Sequence, residues 1–170
     1  MAKKLKIVYL DNDYCDYLRM FDSRVPYNMK GSQRPFVGVL LKVGKCLYFA
    51  PLSSPRPKHL KLFDNIDLLK IEGGKLGVIN FNNMVPVYDQ NIKYIDTNQV
   101  NNLTKEQRAY LMLLNDQLHW LRRHEHRLFR KSKFLYDSYM KKTLNKQVIQ
   151  RCCDFSLLEE KCKEYNSDKN

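Results

Sequence analysis

The chain has 170 residues, of which 44% are hydrophobic and 12% aromatic, and this composition is typical of a folded globular protein rather than a disordered chain. Its 30 Lys and Arg outnumber 18 Asp and Glu, and the formal charge of +12 favours polyanionic partners, nucleic acid before membrane. No apolar run reaches the roughly 18 residues that a membrane-spanning helix needs. Five cysteines, an odd number without disulfide-framework spacing, favour a reducing cytoplasm.

The N-terminal part predicts a strand followed by a short helix. Residues 5–10 are apolar and β-prone, and Asp11 offers an N-cap oxygen to the helix. In that helix Tyr14 shares a helical stripe with other apolar residues, so it is either a core aromatic residue or a first-turn side chain pointing across the sheet. Residues 22–33 are rich in turn residues and predict a loop that leads to Arg34.

The stretch 34–59 predicts two apolar strands joined by a turn at Gly44. A loop of hydroxyls, prolines and positive charges follows at 52–59, and it contains no acidic residue. Because proline fixes φ, such a loop can hold a phosphate group with little reorganisation. Arg34, at the mouth of the first strand, is either a solvated surface residue or a bidentate phosphate clamp. We therefore expect a phosphate site in this stretch.

The rest of the chain predicts more strands and then helices, within one domain that spans 1–170 and ends in a frayed tail at 166–170. A capping box at Thr104 opens a long helix from Lys105 to about Arg130, with a second helical piece to Met140, and residues 141–165 are helical or mixed. The predicted strands, of which 84–88 is an edge strand because of Pro86, are 37–41, 46–50, 66–71, 76–81, 84–88 and 91–96.

The second half of the long helix is strongly basic. It is either a solvated helix face or a nucleic-acid-binding ridge, and the pattern does not separate the two. Its cationic residues are Arg122, Arg123, Arg127, Arg130, Lys131 and Lys133.

Most catalytic chemistries fit the sequence poorly. His124 and His126 are two residues apart and point to different faces of a helix, whereas a helical zinc site needs an i, i+4 pair, so we expect neither metal nor cofactor. Ser54 lies in no G-x-S-x-G motif. Metal-independent RNA cleavage needs less, because the ribose 2′-hydroxyl is the nucleophile and the protein positions the phosphate, neutralises charge and moves a proton.

Five blocks of the sequence closely resemble the ToxN/AbiQ family, the endoribonuclease toxins of type III toxin–antitoxin and phage abortive-infection systems. The blocks follow the family's order over nearly the whole chain, from about Tyr9 to Lys161. They are YCDYLRMFDSRVP, RPFVGVLL, APLSSPRPKH, KLGVINFNNMVPV and FSLLEEK.

This resemblance implies an α+β fold like that of the Kid/MazF toxins, with a strongly twisted antiparallel sheet and packed helices. It implies metal-independent cleavage of RNA that leaves a 2′,3′-cyclic phosphate and a 5′-hydroxyl. It also implies inhibition by a repeat-containing antitoxin RNA, which the toxin processes into pseudoknots and binds in a protein–RNA hetero-oligomer.

The resemblance further implies a set of site residues. Arg34 and Arg56 stabilise the scissile phosphate, Ser54 with Ser53 hydrogen-bonds it or relays a proton, and Tyr14 orients a base or the 2′-hydroxyl. From the charge of the residues themselves we further expect Lys58 and His59 to contact RNA, with His59 also a candidate acid for the leaving oxygen, and the basic helical residues to bind antitoxin, substrate or both. The alternative is a non-catalytic basic RNA-binding protein.

Overall fold

The structure, a computed structural model, describes residues 4–28, 33–95 and 101–169. Within these residues the chain forms one antiparallel sheet with helices packed around it, so the α+β prediction is confirmed. The central strand order is β5-β6-β4-β2-β1-β8, and β3 and β7 also pair with β4. The strands are β1 Lys6–Leu10, β2 Phe36–Gly38, β3 Lys42–Val43, β4 Cys46–Ser53, β5 Leu68–Lys70, β6 Val78–Asn80, β7 Val85–Val87 and β8 Ile92–Tyr94.

Strand β4 is the centre of the sheet, because its first half pairs with β3 and β7 and its second half with β2 and β6. Pro51 lies inside it and has no amide hydrogen to donate. The amide of the next residue, Leu52, donates to the carbonyl of Pro35 on the β2 side at 2.9 Å. Because the nitrogens of neighbouring residues point to opposite edges of a strand, the nitrogen of Pro51 points to the edge of β4 that pairs with β7 and β6. There it lies in the gap between the β7 pairing, which ends at Phe49, and the β6 pairing, which begins at Leu52.

Most of the predicted strands are present, and two predictions need correction. Of the strand predicted at 37–41 only residues 37–38 are in a strand, β2. The separate strand β3 follows at Lys42–Val43 and forms the hairpin with β4 through Gly44, whose φ is 58°. The loop predicted at 52–59 is also wrong in part, because β4 continues to Ser53 and a helix begins at Pro57. Proline at the first helical position has its φ preset and loses no internal hydrogen bond. The last residues of the strand predicted at 91–96 lie outside the described residues.

Six α-helices complete the described structure. The capping box at Thr104 is confirmed, since the Gln107 amide donates to Thr104 Oγ1 at 3.1 Å and the Thr104 amide to Gln107 Oε1 at 2.9 Å. The helices are α1 Asn12–Arg19, α2 Pro57–Lys61, α3 Lys105–Arg123, α4 Glu125–Met140, α5 Lys146–Arg151 and α6 Phe155–Ser167, with 3₁₀ segments at Ile71–Gly74, Phe81–Asn83 and Asp89–Asn91.

The single helix predicted from Lys105 to about Arg130 is wrong. The chain leaves helical geometry at His124, with φ −119° and ψ 20°, so α3 ends at Arg123 and α4 starts at Glu125. The leucine stripe continues across this break, because Leu121 and Leu128 are both buried in the core. Most of the basic residues therefore belong to α4.

The frayed tail predicted at 166–170 is also wrong at its start. Asn166 lies in α6 and is only 1% exposed. Its side chain forms reciprocal amide hydrogen bonds with Asn91, each 3.0 Å, and thus fastens α6 to the segment before β8. A buried amide pair of this kind satisfies groups that would otherwise be costly to bury. None of the described helices is long and apolar enough to cross a bilayer.

Candidate active site

Two strand ends bring the predicted phosphate-binding residues together. Phe36 pairs with Pro51 in the antiparallel β2–β4 ladder, and continuing this register places Arg34 opposite Ser53. On the other side of β4, Ser53 pairs with Val78 of β6. Ser53 therefore lies between β6 and the chain segment that carries Arg34.

A glycine allows the chain to pass directly behind the serines. Gly77 has φ +103°, and a Cβ atom there would overlap the carbonyl oxygen of Ser53 and approach the nitrogen of Pro55. Only glycine fits both the backbone conformation and this close approach. The backbone of Ser53 and Ser54 is thus held from behind by the turn before β6.

Both serine side chains are partly exposed, and neither hydroxyl has a hydrogen-bond partner among the described residues. The Arg56 side chain is exposed and likewise unpaired within the described ranges. The Nε atom of Arg34 donates to the carbonyl of Tyr27 at 2.9 Å, and its two terminal nitrogens have no hydrogen-bond partner among the described residues. We call Arg34, Ser53, Ser54 and Arg56 the strand-end site.

The strand-end site is electrostatically prepared for an anion. Burial lowers the pKa of Arg34 from its usual value, and the positive charge of Arg56 lowers it further. The same interaction shows that the two guanidinium groups are close enough to repel each other. No carboxylate contributes to this shift. A phosphate between the two arginines would relieve their repulsion and accept hydrogen bonds from both.

His59 is buried behind the strand-end site rather than exposed on the surface, and its contact with RNA stays a prediction. It is 3% exposed, its Nδ1 accepts a hydrogen bond from the Arg56 amide at 3.1 Å, and its own amide donates to the Arg56 carbonyl at 2.9 Å. Burial and the charges of Lys58 and Arg56 lower the pKa of His59 from its usual value, so it is neutral at pH 7. His59 therefore caps α2 and fixes the backbone of Arg56. Lys58, by contrast, is exposed on α2.

Of the two interpretations of Tyr14 from the sequence, the structure shows the first, a core aromatic residue. The side chain is 0% exposed, its hydroxyl donates to the carbonyl of Pro86 in β7, and its ring packs against Tyr165. Burial raises the pKa of Tyr14 well above its usual value. In this arrangement the hydroxyl of Tyr14 is engaged with a strand carbonyl in the core, and its role in catalysis stays a prediction.

Sequence reasoning missed two other tyrosines beside the site. Tyr27 is 63% exposed, and its carbonyl holds Arg34 while its ring lies 4.6 Å from the guanidinium of Arg19. Tyr110 of α3 interacts electrostatically with Arg34. Its pKa is raised, mainly because it is buried and to a lesser extent because the hydroxyl of Tyr9 is nearby. In the sequence Tyr27 belonged to a loop without periodicity and Tyr110 to a core stripe, so neither pattern indicated the contact.

Most of the basic residues predicted in the second half of the long helix have protein partners. We call these six residues the helix ridge: Arg122, Arg123, Arg127, Arg130, Lys131 and Lys133. Arg127 pairs with Asp64, the Lys131 ammonium donates to the carbonyl of Asn65, and Lys133 pairs with Asp137 at 2.7 Å. Arg122 Nε donates to the carbonyl of Leu5 at 3.1 Å. Within the described residues only two members of the ridge are exposed without a partner: Arg123 and Arg130.

An antiparallel α+β fold that carries two partly exposed hydroxyls near two arginines without a described carboxylate partner is typical of a phosphate-binding protein, and the charge of +12 is typical of the nucleic-acid-binding class. Comparison with known proteins gives the family. A family model described as "Toxin ToxN, type III toxin-antitoxin system" matches residues 6–163. The chain therefore belongs to the ToxN family of type III toxin–antitoxin toxins.

Curated relatives agree with this assignment. The chain is similar to "Endoribonuclease ToxN" of Bacillus thuringiensis subsp. kurstaki, with 35% identity over 92% of this chain and 81% of the relative. It is 28% identical to "Endoribonuclease ToxN" of Pectobacterium atrosepticum, over 96% of this chain and 95% of the relative. It is 27% identical to "Endoribonuclease AbiQ" of Lactococcus lactis subsp. lactis, over 95% and 90%.

Solved structures show the same fold. One, described as "selective toxin inhibition by a non-coding RNA pseudoknot", matches with a TM-score of 0.78 and 33% identity over 96% of this chain and 99% of that one. Another, of "AbiQ, a lactococcal anti-phage endoribonuclease", matches with a TM-score of 0.80 and 25% identity over 97% of this chain and 99% of that one.

Proposed function

We propose that this ToxN-family chain is a metal-independent endoribonuclease toxin whose reaction centre is the strand-end site. The observation that carries the proposal is the pair of mutually repelling arginines, Arg34 and Arg56, beside two hydroxyls without partners among the described residues. A bound phosphodiester would accept hydrogen bonds from both arginines and both hydroxyls.

In the proposed reaction the ribose 2′-oxygen attacks the adjacent phosphorus, and the bond from phosphorus to the 5′-oxygen breaks. The products are a 2′,3′-cyclic phosphate and a 5′-hydroxyl, with one proton leaving the 2′-hydroxyl and one reaching the 5′-oxygen. Negative charge grows on the non-bridging oxygens, where Arg34 and Arg56 stabilise it. Ser53 and Ser54 donate hydrogen bonds to the same phosphate and hold it in line.

We extend the proposal to the partners of the chain. The relatives are named endoribonucleases, and one solved neighbour is described as inhibited by a non-coding RNA pseudoknot. We propose that this chain likewise cuts cellular RNA, is held inactive by a repeat-containing antitoxin RNA, and acts against phage. Exposed cations outside the strand-end site, chiefly Lys58, Arg123 and Arg130, supply contacts to the RNA backbone.

The same proposal includes a single domain with a Kid/MazF-like sheet. The buried apolar residues of β1, β2, β4 to β7, α1 and α3 to α6 form one hydrophobic cluster, and the partly buried Val43 of β3 and Ile92 of β8 pack against it. This continuity supports one folding unit. Short antiparallel strands arranged around β4 are compatible with the Kid/MazF arrangement that the resemblance implies.

The test is cleavage of RNA by purified protein in excess EDTA, with analysis of the fragment ends. Wild type should leave 2′,3′-cyclic phosphate and 5′-hydroxyl ends, and Ser54→Ala should lower the rate about 10²–10³-fold, as removal of one preorganised donor does. Ser156→Ala, an exposed serine on α6, is the matched control and should cleave like wild type. Tight RNA binding without cleavage would instead support the non-catalytic RNA-binding protein.

A further inference from the structure

An exposed apolar strip follows α2 directly after the strand-end site. Leu60, Leu62 and Phe63 are 56%, 38% and 87% exposed. Large apolar side chains clustered on a surface usually mark a binding site rather than a solvated loop. Phe63 makes no ring contact with any described aromatic residue or cation.

The backbone of this strip is well fixed, so the exposure of its side chains does not come from a loose chain. The ammonium of Lys70 donates to the carbonyls of Leu60 and Leu62 at 3.2 Å and 2.9 Å, and the Lys70 amide donates to Asp64 Oδ1 at 2.8 Å. Gly74 packs against the carbonyl of His59 so closely that a side chain there would overlap it. The backbone beneath the exposed side chains is therefore fixed by Lys70 and Gly74.

The surroundings of the strip favour a polyanion over an apolar protein. Lys58 and Lys61 are exposed on α2, and Arg56 precedes them. The acid next to Phe63, Asp64, is already paired with Arg127. Cations around an exposed aromatic ring form the arrangement by which proteins hold single-stranded nucleic acid, with phosphates on the charges and a base on the ring.

The strip is also within reach of an RNA bound at the strand-end site. Five helical residues at a rise of about 1.5 Å, followed by two extended residues at about 3.3 Å, separate Arg56 from Phe63 by at most about 15 Å. An extended RNA strand crosses this distance in a few nucleotides.

We propose that Phe63, flanked by Leu60 and Leu62, stacks on an unpaired base of the substrate RNA a few nucleotides from the cleaved phosphate. This inference rests on the proposed function and adds a second contact point to it. A ring at a fixed distance from the reacting phosphate selects substrates whose base at that position is unpaired, because a paired base has no free face to stack.

The experiment compares Phe63→Ala, Phe63→Leu and Phe63→Trp in single-turnover cleavage of a single-stranded transcript that wild type cuts. Loss of one base stack, worth about 1–3 kcal/mol, lowers kcat/KM about 5- to 150-fold in Phe63→Ala. Phe63→Leu keeps an apolar side chain without a π-face and should also lose activity, whereas Phe63→Trp should restore it. Met112→Ala, which removes another exposed apolar side chain, is the control and should cleave like wild type.

A direct measurement of stacking uses the Ser54→Ala background and a single-stranded RNA that contains 2-aminopurine. Binding should quench the probe with Phe or Trp at position 63 and quench it far less with Ala. If Phe63→Ala or Phe63→Leu cleaves like wild type while Ser54→Ala is inactive, the stacking proposal is wrong and the strand-end site stands. If wild type does not cleave RNA at all, the proposed function itself is wrong. A change confined to self-association in sedimentation would assign the strip to a second copy and overturn the stacking proposal.

Discussion

The strand-end site and the helix ridge are both basic, and they differ in what their cations contact. Arg34 and Arg56 repel each other, and no carboxylate among the described residues offsets them. In the ridge, Arg127 and Lys133 are paired with carboxylates from the same chain. The comparison teaches that the partners of a cation, more than its charge, indicate whether it serves folding or ligand binding. Removing an unpaired cation should cost activity, and removing a paired one should cost stability.

The largest expected effect tests the unpaired side of this comparison. Arg56→Gln should lower the rate of RNA cleavage about 10²–10³-fold, because it removes one of two charges that face the reacting phosphate. Its thermal midpoint should stay equal or rise, since the repulsion with Arg34 disappears. Lys133→Gln removes a cation of the ridge that is paired with Asp137 and should lower cleavage far less. Equal losses in the two variants would contradict the comparison.

The next effect concerns a cation outside the ridge that is paired with a buried carboxylate. Arg151 holds Asp67, which is 2% exposed, with two hydrogen bonds of 2.8 Å and 3.1 Å. Arg151→Met should lower the free energy of unfolding by about 2 kcal/mol, because it leaves a buried carboxylate without its charged partner. Urea unfolding measures this loss. Arg151→Lys keeps the charge but loses the two parallel hydrogen bonds of the guanidinium group, so its stability should lie between those of wild type and Arg151→Met. An Arg151→Met variant as stable as wild type would contradict the link between pairing and stability.

A smaller effect is expected within the ridge itself. Arg127 and Asp64 are both partly exposed, so solvent screens their attraction. Arg127→Ala should lower the free energy of unfolding by less than about 1 kcal/mol. A double-mutant cycle with Asp64→Ala isolates the pair. A coupling well above that value would place the ridge among the main supports of the fold.

The smallest effect is a change in the pH dependence of stability. The pKa of His59 is lowered in the folded state, so the unfolded chain binds the proton more readily and stability falls as pH drops below about 6.5. His59→Asn keeps an acceptor near the Nδ1 position but does not titrate. Its thermal midpoint should therefore fall less than that of wild type between pH 7 and pH 5. Parallel curves for the two proteins would mean that protonation of His59 does not weaken the cap of α2.

Local signals in the sequence predicted the features that depend on near neighbours. The capping box at Thr104, the N-cap at Asp11 and the turn at Gly44 each involve atoms a few residues apart, and all three are present. The helix at Pro57 was missed because a proline-rich stretch also predicts extended chain. The break at His124 was missed because the leucine stripe continues in phase on both sides of it.

Long-range partners could not be predicted from the sequence. The hydroxyl of Tyr14 meets Pro86, 72 residues further along the chain, and Arg127 meets Asp64, 63 residues earlier. No periodicity encodes such contacts, and they decide whether a polar side chain is buried or free. The resemblance identified Arg34, Ser53, Ser54 and Arg56 as neighbours in function, and the β2–β4 register supplies the physical reason that they lie together.

The close approach of Gly77 to the carbonyl of Ser53 has a consequence for how mutations can inactivate this protein. A single methyl group at Gly77 would push on the carbonyl of Ser53 and move the hydroxyls relative to Arg34, without changing any residue that faces RNA. Cells selected to survive overproduction of the protein should therefore carry substitutions of Gly77 as well as of the serines and arginines. The expected phenotype is a folded protein that accumulates in the cell without harming it.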